Sequence, residues 1–136
     1  MFSMSRGFRR SIGEDTHRLG RGCTTALVEK GRRIAASSTE RQSVVAFALK
    51  AGRVVSIGVN SYRKTHPRQA HYARIVGQPR KEFLHAEIAA LVRAKTAVDT
   101  LVVLRFDKEG NPALAKPCAI CQLAIAAAGI TNVVHT

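Results

Sequence analysis

The chain has 136 residues, of which 46% are hydrophobic and 23% are charged, as in one ordinary globular domain. No apolar run approaches the roughly 18 residues of a membrane span, and the opening has no continuous apolar core, so neither a membrane protein nor a secreted one is expected. The 22 Lys and Arg outnumber the 9 Asp and Glu and give a net charge of +13, which favours an anionic partner such as a nucleotide or a nucleic acid.

The composition changes near Gly22, where an Arg- and Gly-rich opening gives way to apolar periodicity. We interpret residues 1–22 as a basic, flexible N-terminal arm and residues 23–136 as the folded domain. The chain has three cysteines, and an odd number without a secretory signal indicates a protein of the reducing cytoplasm.

The first half predicts a helix, a hairpin and a long connection. Apolar residues on one helical face predict a helix over 24–38, although Gly31 lies inside it. Two β-rich runs, SVVAFALK and RVVSIGVNSY, flank Ala51-Gly52 and predict an antiparallel hairpin. Residues 61–82 then form a connection with six Lys or Arg, and connections of this length in compact domains are often functional.

The second half alternates helices and strands. We predict a helix from about His85 to Lys95, a strand at TLVVLRF, a turn at DKEGNP, a helix from near Cys118 that ends at Gly129, and a strand at TNVVHT. This alternation is typical of an α/β layered domain with at least one parallel crossover.

Two cysteines lie three residues apart in KPCAIC, where the last helix is predicted to begin. Side chains at i and i+3 share a helical face, and the positive end of the helix dipole lowers the pKa of a thiol. Cys118 and Cys121 are therefore candidates for half of a metal site or for a redox pair.

His85 and Glu87 interrupt the otherwise apolar run FLHAEIAA at the predicted start of another helix. If the two helix starts meet across the sheet, His85 and the two cysteines surround one Zn²⁺ and leave its fourth position open for water, as in a catalytic zinc site. Residues two apart do not share a helical face, so Glu87 suits a fourth ligand poorly. At a helix end it reaches the bound water instead, as a general acid/base.

The same residues form a known signature, H-x-E followed by P-C-x-x-C, which belongs to zinc deaminases. His85 and Glu87 supply the first half, and Pro117, Cys118 and Cys121 supply the second. On these residues the chain resembles the cytidine deaminase superfamily and, within it, the dCMP-type branch. The alternative interpretation is a buried histidine with two structural cysteines.

The resemblance runs from about Thr24 to the end of the sequence. It implies an α/β fold of three layers, the cytidine deaminase-like fold, with a mixed sheet of about four to five strands flanked by helices in the order α-β-β-α-β-α-β. It also implies Zn²⁺ as cofactor and a reaction in which a zinc-bound hydroxide attacks C4 of cytosine, or C6 of adenine, and ammonia leaves. By the same resemblance Asn60 of GVN contacts the sugar and Ala86 offers its backbone N–H to the base. Pro117 is counted with these substrate contacts.

Two kinds of substrate fit the basic connection after Asn60. A free nucleotide such as dCMP needs a phosphate clamp, and this segment offers Arg63, Lys64, His66 and Arg68 beside Tyr62. A polynucleotide (tRNA, single-stranded DNA or RNA) needs a basic track with aromatic side chains for its bases. The track includes Tyr62, Tyr72, Arg6, Arg9, Arg10, Arg18 and Arg21. Aromatic residues make up only 5% of the chain, so we favour conversion of a dCMP-like nucleotide to dUMP and ammonia.

A third hypothesis is a catalytically inactive zinc scaffold. Glu87 argues against it, because a chain relieved of catalysis has no reason to keep an ionisable group beside the metal. Relatives usually continue with a further helix and strand beyond the point that corresponds to Thr136, which leaves pocket closure and assembly open. By analogy with relatives that bury apolar helix faces between subunits, we expect a homo-oligomer.

Overall fold

The fold is one mixed β-sheet with helices packed on both of its faces. A computed structural model of the chain describes residues 9–10, 21–40 and 42–136, with side chains from residue 25 onward. Most of the predicted N-terminal arm, including Arg6 and Arg18, lies outside the described residues, as does the side chain of Cys23. None of the helices in the described part has the length and apolar character needed to cross a membrane.

The described elements alternate along the chain much as predicted. The helices are α1 (Arg21–Ala36), α2 (Pro67–Ile75), α3 (Ala86–Arg93) and α4 (Ala119–Ala127). The strands are β1 (Arg9–Arg10), β2 (Ser43–Lys50), β3 (Arg53–Val59), β4 (Thr100–Phe106), β5 (Pro112–Ala113) and β6 (Asn132–His135). The sheet order is β1-β6-β4-β2-β3, and β5 pairs with the end of β4. Among these strands only β4 and β6 are parallel, so the predicted α/β class with a parallel crossover is confirmed.

The predicted hairpin is formed by β2 and β3. Ala51 and Gly52 connect the two strands with φ angles of 52° and 79°. Two successive residues in the left-handed region form the type I′ turn, whose twist matches that of the flanking strands. Strand β3 ends at Val59, three residues before the end of the predicted run, because the Ser61 N–H donates to the Leu84 carbonyl instead of extending the pairing with β2.

The two faces of the sheet carry separate hydrophobic cores. Successive residues of a strand point to opposite faces, so β2 sends Phe47 towards α1 while Ala46 and Ala48 face the side of α3 and α4. Strand β2 thus gives large side chains to the α1 side and small ones to the opposite side, where β4 and β6 add the larger Leu101, Val103 and Val133. The small side chains of β2 allow α3 to pack close to β2 and β3, and α4 packs beside α3 and α2.

Gly31, which weakens the sequence prediction of α1, lies within direct contact distance of side chains from β2 and β4. A Cβ atom at this position would meet Leu104 Cδ1 at 2.7 Å. Glycine inside a helix costs about 1 kcal/mol relative to alanine. Here close packing on β4 accounts for its presence.

The topology brings several chain segments to one end of the sheet. Helices α3 and α4 precede the parallel strands β4 and β6 and pack back on the sheet, so they run in the same direction and begin near the ends of those strands. Strand β3 ends at the same place, because β2 is antiparallel to both β3 and β4. Open α/β sheets bind their ligands at the carboxyl ends of their strands, so a ligand site is expected at this end of the sheet.

The predicted connection over residues 61–82 is wrong in one respect, because helix α2 occupies Pro67–Ile75 within it. The side chain of His66 caps this helix by accepting a hydrogen bond from the Arg68 N–H, and Pro67 follows at the first helical position. Only Gln69 and Ala73 of α2 are buried. With one polar and one small residue on its inner face, the helix has no apolar stripe for periodicity to detect.

Gly58 determines how closely α3 lies against β3, and its replacement is expected to destabilise the fold. A Cβ atom at Gly58 would come within 2.3 Å of both the Ala86 carbonyl oxygen and the Ala90 backbone nitrogen. Because backbone cannot move aside cheaply, Gly58→Ala should lower the free energy of unfolding by about 2–3 kcal/mol. Equilibrium urea unfolding measures this change.

Gly52→Ala is the matched control for this substitution. Gly52 has a φ of 79°, and nothing lies within 4 Å of the position that a Cβ atom would take there, so this variant reports backbone strain alone, roughly 1 kcal/mol. A Gly58→Ala variant that loses no more stability than Gly52→Ala would contradict the close approach of β3 and α3.

Candidate active site

Three candidate metal ligands meet where α3 and α4 begin. His85 is the N-cap residue of α3, Cys118 is the N-cap residue of α4, and Cys121 lies in the first turn of α4. The Nδ1 atom of His85 lies 3.3 Å from Cys121 Sγ and 3.5 Å from Cys118 Sγ. All three ligand atoms lie within 4.8 Å of one another, so residues more than thirty positions apart in the sequence form one cluster.

The chemistry and spacing of this cluster fit zinc. A tetrahedral Zn²⁺ with bonds of about 2.1 Å to nitrogen and 2.3 Å to sulfur separates its ligand atoms by roughly 3.5–3.8 Å. The observed nitrogen–sulfur distances of 3.3 and 3.5 Å are close to that range. One imidazole and two thiols leave a fourth position for water or substrate, which is the ligand count of a catalytic zinc site.

The protonation states of the cluster also suit a metal. The hydrogen bond between Cys118 and the Cys121 thiol lowers the pKa of Cys118 to about 3. Burial of Cys118 opposes this effect, and the neighbouring His85 adds to it. The same hydrogen bond, together with burial, raises the pKa of Cys121 well above its ordinary value. The hydrogen bond with Cys118 raises the pKa of His85. One thiolate is therefore ready, and binding of a divalent cation displaces the remaining protons.

Glu87 lies in the first turn of α3, buried beside the ligands. Its side chain is 6% exposed, and it lines the cleft that opens above the cluster. Burial raises the pKa of Glu87, because an apolar environment disfavours the carboxylate. A carboxyl group with a raised pKa exchanges protons more readily near neutral pH, which suits a general acid/base.

A cleft of about 400 Å³ leads from the surface to this cluster. It is lined by residues from β2, the ends of β3 and β4, the segment before α3 and the segment before α4. Its lining residues are Gln42, Val44, Asn60, Ser61, Tyr62, Arg80, Lys81, Phe83, Leu84, His85, Ala86, Glu87, Arg105, Leu114, Ala115, Lys116 and Cys118. Of the substrate contacts predicted from the sequence, the structure brings Asn60, Tyr62 and Ala86 to this cleft.

The Asn60 side chain lies beside the cleft and is hydrogen-bonded to the backbone at the start of β2. Its Oδ1 accepts a hydrogen bond from the Val44 N–H at 2.9 Å, and its Nδ2 donates to the Gln42 carbonyl at 2.8 Å. An amide oxygen accepts two hydrogen bonds and an amide nitrogen donates two. Asn60 therefore keeps one acceptor and one donor position for a ligand in the cleft.

The other predicted substrate contacts lie elsewhere. Arg63, Lys64 and Arg68 are exposed and are not among the lining residues, and His66 caps α2 with its Nδ1. Pro117 is buried next to Cys118, and its carbonyl accepts a hydrogen bond from Gln122 at 2.8 Å. Pro117 thus helps to fix the start of α4.

Sequence reasoning missed the four cationic side chains that do line the cleft, which are Arg80, Lys81, Arg105 and Lys116. A signal existed for three of them, because Arg80 and Lys81 shortly precede the HAE motif and Lys116 directly precedes the PCAIC motif. Arg105 carries no such signal, since it reaches the cleft only through the position of β4 in the sheet.

Comparison with known protein families gives a match over most of the chain. The model of the family "Cytidine and deoxycytidylate deaminase zinc-binding region" matches residues 22–136. This range contains α1 from its second residue onward and every later element, with all three candidate ligands and Glu87. None of the curated proteins compared with the chain matches it.

Proposed function

The chain belongs to the cytidine and deoxycytidylate deaminase family and is a zinc-dependent deaminase, and from this premise we propose that its substrate is a free cytosine nucleotide. The reaction would convert dCMP, or a closely related nucleotide, to the uracil nucleotide and ammonia. The observation that carries the proposal is the buried Glu87 beside the His/Cys/Cys cluster, at the base of a cleft lined by four cationic side chains.

The residues around the cluster suit hydrolytic deamination. When held by His85, Cys118 and Cys121, zinc supplies a Lewis acid that makes water nucleophilic at neutral pH. Glu87 takes the proton from the attacking water and passes it to the ring. This attack forms the C4–O bond. Glu87 then takes the second proton from the new hydroxyl group on C4 and delivers it to the amino group, so the C4–N bond breaks, ammonia leaves and C4 keeps a carbonyl oxygen. The backbone N–H of Ala86, in the first turn of α3, is positioned by the helix start to donate to the base.

The cleft also offers groups for the sugar and the phosphate. We assign the sugar hydroxyl to the remaining donor and acceptor positions of Asn60. We assign the 5′-phosphate to the cationic side chains of the cleft, which we call the cleft cations: Arg80, Lys81, Arg105 and Lys116. Cations that converge on one concave surface recognise a phosphate better than isolated surface charges do.

A polynucleotide substrate is the second candidate, and two exposed aromatic side chains favour it. Tyr62 is 40% exposed and Phe83 is 46% exposed, and both line the cleft. Aromatic rings at the mouth of a basic cleft can stack on the bases of a single strand, at about 1–3 kcal/mol per base. The exposed side chains of Arg63, Lys64 and Arg68 would extend a basic track beyond the cleft.

A deamination panel tests the choice between these substrates. We expect turnover of dCMP or CMP to exceed that of deoxycytidine, single-stranded DNA and RNA at matched base concentration, measured as ammonia release. Loss of a phosphate contact should raise KM for the nucleotide. Because Arg80→Ala removes one charged contact, we expect this KM to rise about tenfold. KM for the unphosphorylated nucleoside should stay the same.

Arg53→Ala is the matched control for this panel. Arg53 is an exposed arginine at the start of β3, the end of the strand that lies away from Asn60. Its replacement removes the same charge and should leave KM for the nucleotide unchanged. Turnover confined to the polymers would overturn the mononucleotide proposal and select the polynucleotide.

Three further expectations belong to the same proposal. A cytoplasmic location is supported by the thiols of Cys118 and Cys121, which are unpaired with each other and must stay reduced to bind metal. A boundary near residue 22 between arm and domain is supported by the start of the family match there. A homo-oligomer stays a prediction.

A further inference from the structure

Helix α2 carries a buried glutamine to which no sequence motif draws attention. Gln69 is 0% exposed, and it lies one helical turn before Ala73, the other buried residue of the helix. Burying an amide costs roughly 1–3 kcal/mol unless its polar atoms are hydrogen-bonded. The hydrogen-bond partners of Gln69 therefore indicate what the residue does.

Both polar ends of the Gln69 side chain bind backbone next to the metal cluster. Its Oε1 accepts a hydrogen bond from the His85 N–H at 3.1 Å, and its Nε2 donates to the Lys81 carbonyl at 3.3 Å. These partners lie at the two ends of the segment 81–85 that leads into α3. Because one partner is a donor and the other an acceptor, a neutral amide satisfies both, and a leucine of similar volume satisfies neither.

The opposite side of this segment is held by the chain that follows β3. The Leu84 N–H donates to the Lys64 carbonyl, and the Leu84 carbonyl accepts from the Ser61 N–H, both at 2.9 Å. The segment is thus held between this pairing and Gln69. One of its ends carries the imidazole of the metal cluster, and the other carries a side chain that lines the cleft.

We propose that Gln69 is a positioning residue that fixes His85 and Lys81 together and so couples zinc affinity to recognition of the substrate's anionic group. Gln69 does not line the cleft, so it acts through the backbone of these two residues. The zinc half of the proposal rests on the ligand geometry, and the substrate half rests on the function proposed above.

Gln69→Leu tests the proposal, because it removes both hydrogen bonds and keeps the volume of the side chain. We expect zinc affinity, measured by competition with a chromophoric chelator in the absence of substrate, to fall about 10- to 100-fold, as for other groups that orient a metal ligand. We also expect KM for the nucleotide to rise more than KM for the unphosphorylated nucleoside.

Two further variants separate positioning from simple loss of stability. Ala73→Gly weakens the same inner face of α2 without a bond to His85, and it should lower the thermal unfolding midpoint while leaving zinc affinity and the KM ratio unchanged. Gln69→Glu keeps an oxygen for the His85 N–H, so its zinc affinity should return to within a few fold of wild type. If Gln69→Leu does not fold, Gln69→Met supplies the zinc measurement, because it keeps the unbranched shape of glutamine and lacks both amide groups.

The proposal is overturned if Gln69→Leu, or Gln69→Met in its place, binds zinc as tightly as Ala73→Gly does and shares its KM ratio, because Gln69 would then only fill the core. The zinc measurement involves no substrate. A chain that deaminates no nucleotide would therefore contradict the function proposed above while leaving the zinc half of this inference open to support or refutation.

Discussion

Replacing Glu87 with glutamine is expected to abolish turnover while the protein keeps its zinc and its fold. The carboxylate is the one acidic side chain among the described residues that line the cleft, so no other acid is at hand to move the protons. General acid/base groups contribute roughly 10²–10⁴-fold to rate, and kcat should fall by at least that factor. Steady-state assays of ammonia release, with zinc content measured on the same sample, check this result.

The Glu87→Gln variant should lose activity without losing stability. Burial raises the pKa of Glu87, so the folded state carries a cost whenever the carboxylate is ionised. An amide of the same shape carries no such charge, and the free energy of unfolding at neutral pH should stay the same or increase. Glu109→Gln, in an exposed turn, is the matched control and should keep full activity. Activity near wild type in Glu87→Gln would refute the general acid/base assignment.

The second large effect is expected at the metal ligands. Protein purified without added metal should contain about one zinc per chain, and Cys118→Ala should contain little or none. Because the Cys118 side chain is exposed, its removal leaves no large cavity, and the loss of zinc can be read without general unfolding. Zinc affinity should fall by more than the roughly 10- to 100-fold that accompanies loss of a group orienting a ligand, and turnover should disappear with the metal.

Cys23→Ala is the comparison for this experiment, since the sequence pairs this cysteine with no ligand motif. It should retain one zinc per chain and full activity. Wild-type protein that neither contains zinc nor takes it up would rule out the metal site, and a Cys118→Ala variant that keeps its zinc would remove Cys118 from the ligand set.

The sequence predicted that His85, Cys118 and Cys121 would cluster, because the pattern that identifies them depends on short spacings. His85 and Glu87 lie two residues apart, and Cys118 and Cys121 lie three apart, each pair at a predicted helix start. Helix N-termini are marked by local signals, so the directions of these side chains follow from the sequence. The meeting of the two pairs required only that both helices begin at the same end of the sheet.

The walls of the cleft were harder to predict, because they combine residues from segments that only the fold brings together. Arg105 reaches the cleft from the end of β4, and Arg80 reaches it from the segment after α2. Helix α2 itself escaped prediction because its buried face is Gln69 and Ala73, a polar and a small residue. Pro67 after a capping residue was the available signal, and it was outweighed by the basic composition of the segment.

The metal ligands come from two helices, α3 before β4 in the chain and α4 after it. The complete ligand set therefore exists only when both helices are packed in their native places. A chain in which α4 has not yet docked beside α3 holds His85 apart from both cysteines, so it offers only an incomplete ligand set. Zinc therefore favours the native state over partly folded ones, by about 4 kcal/mol when its concentration is a thousand times the dissociation constant. Metal supply would then set how much newly made protein survives, since chains awaiting zinc stay longer in states that proteases can cut.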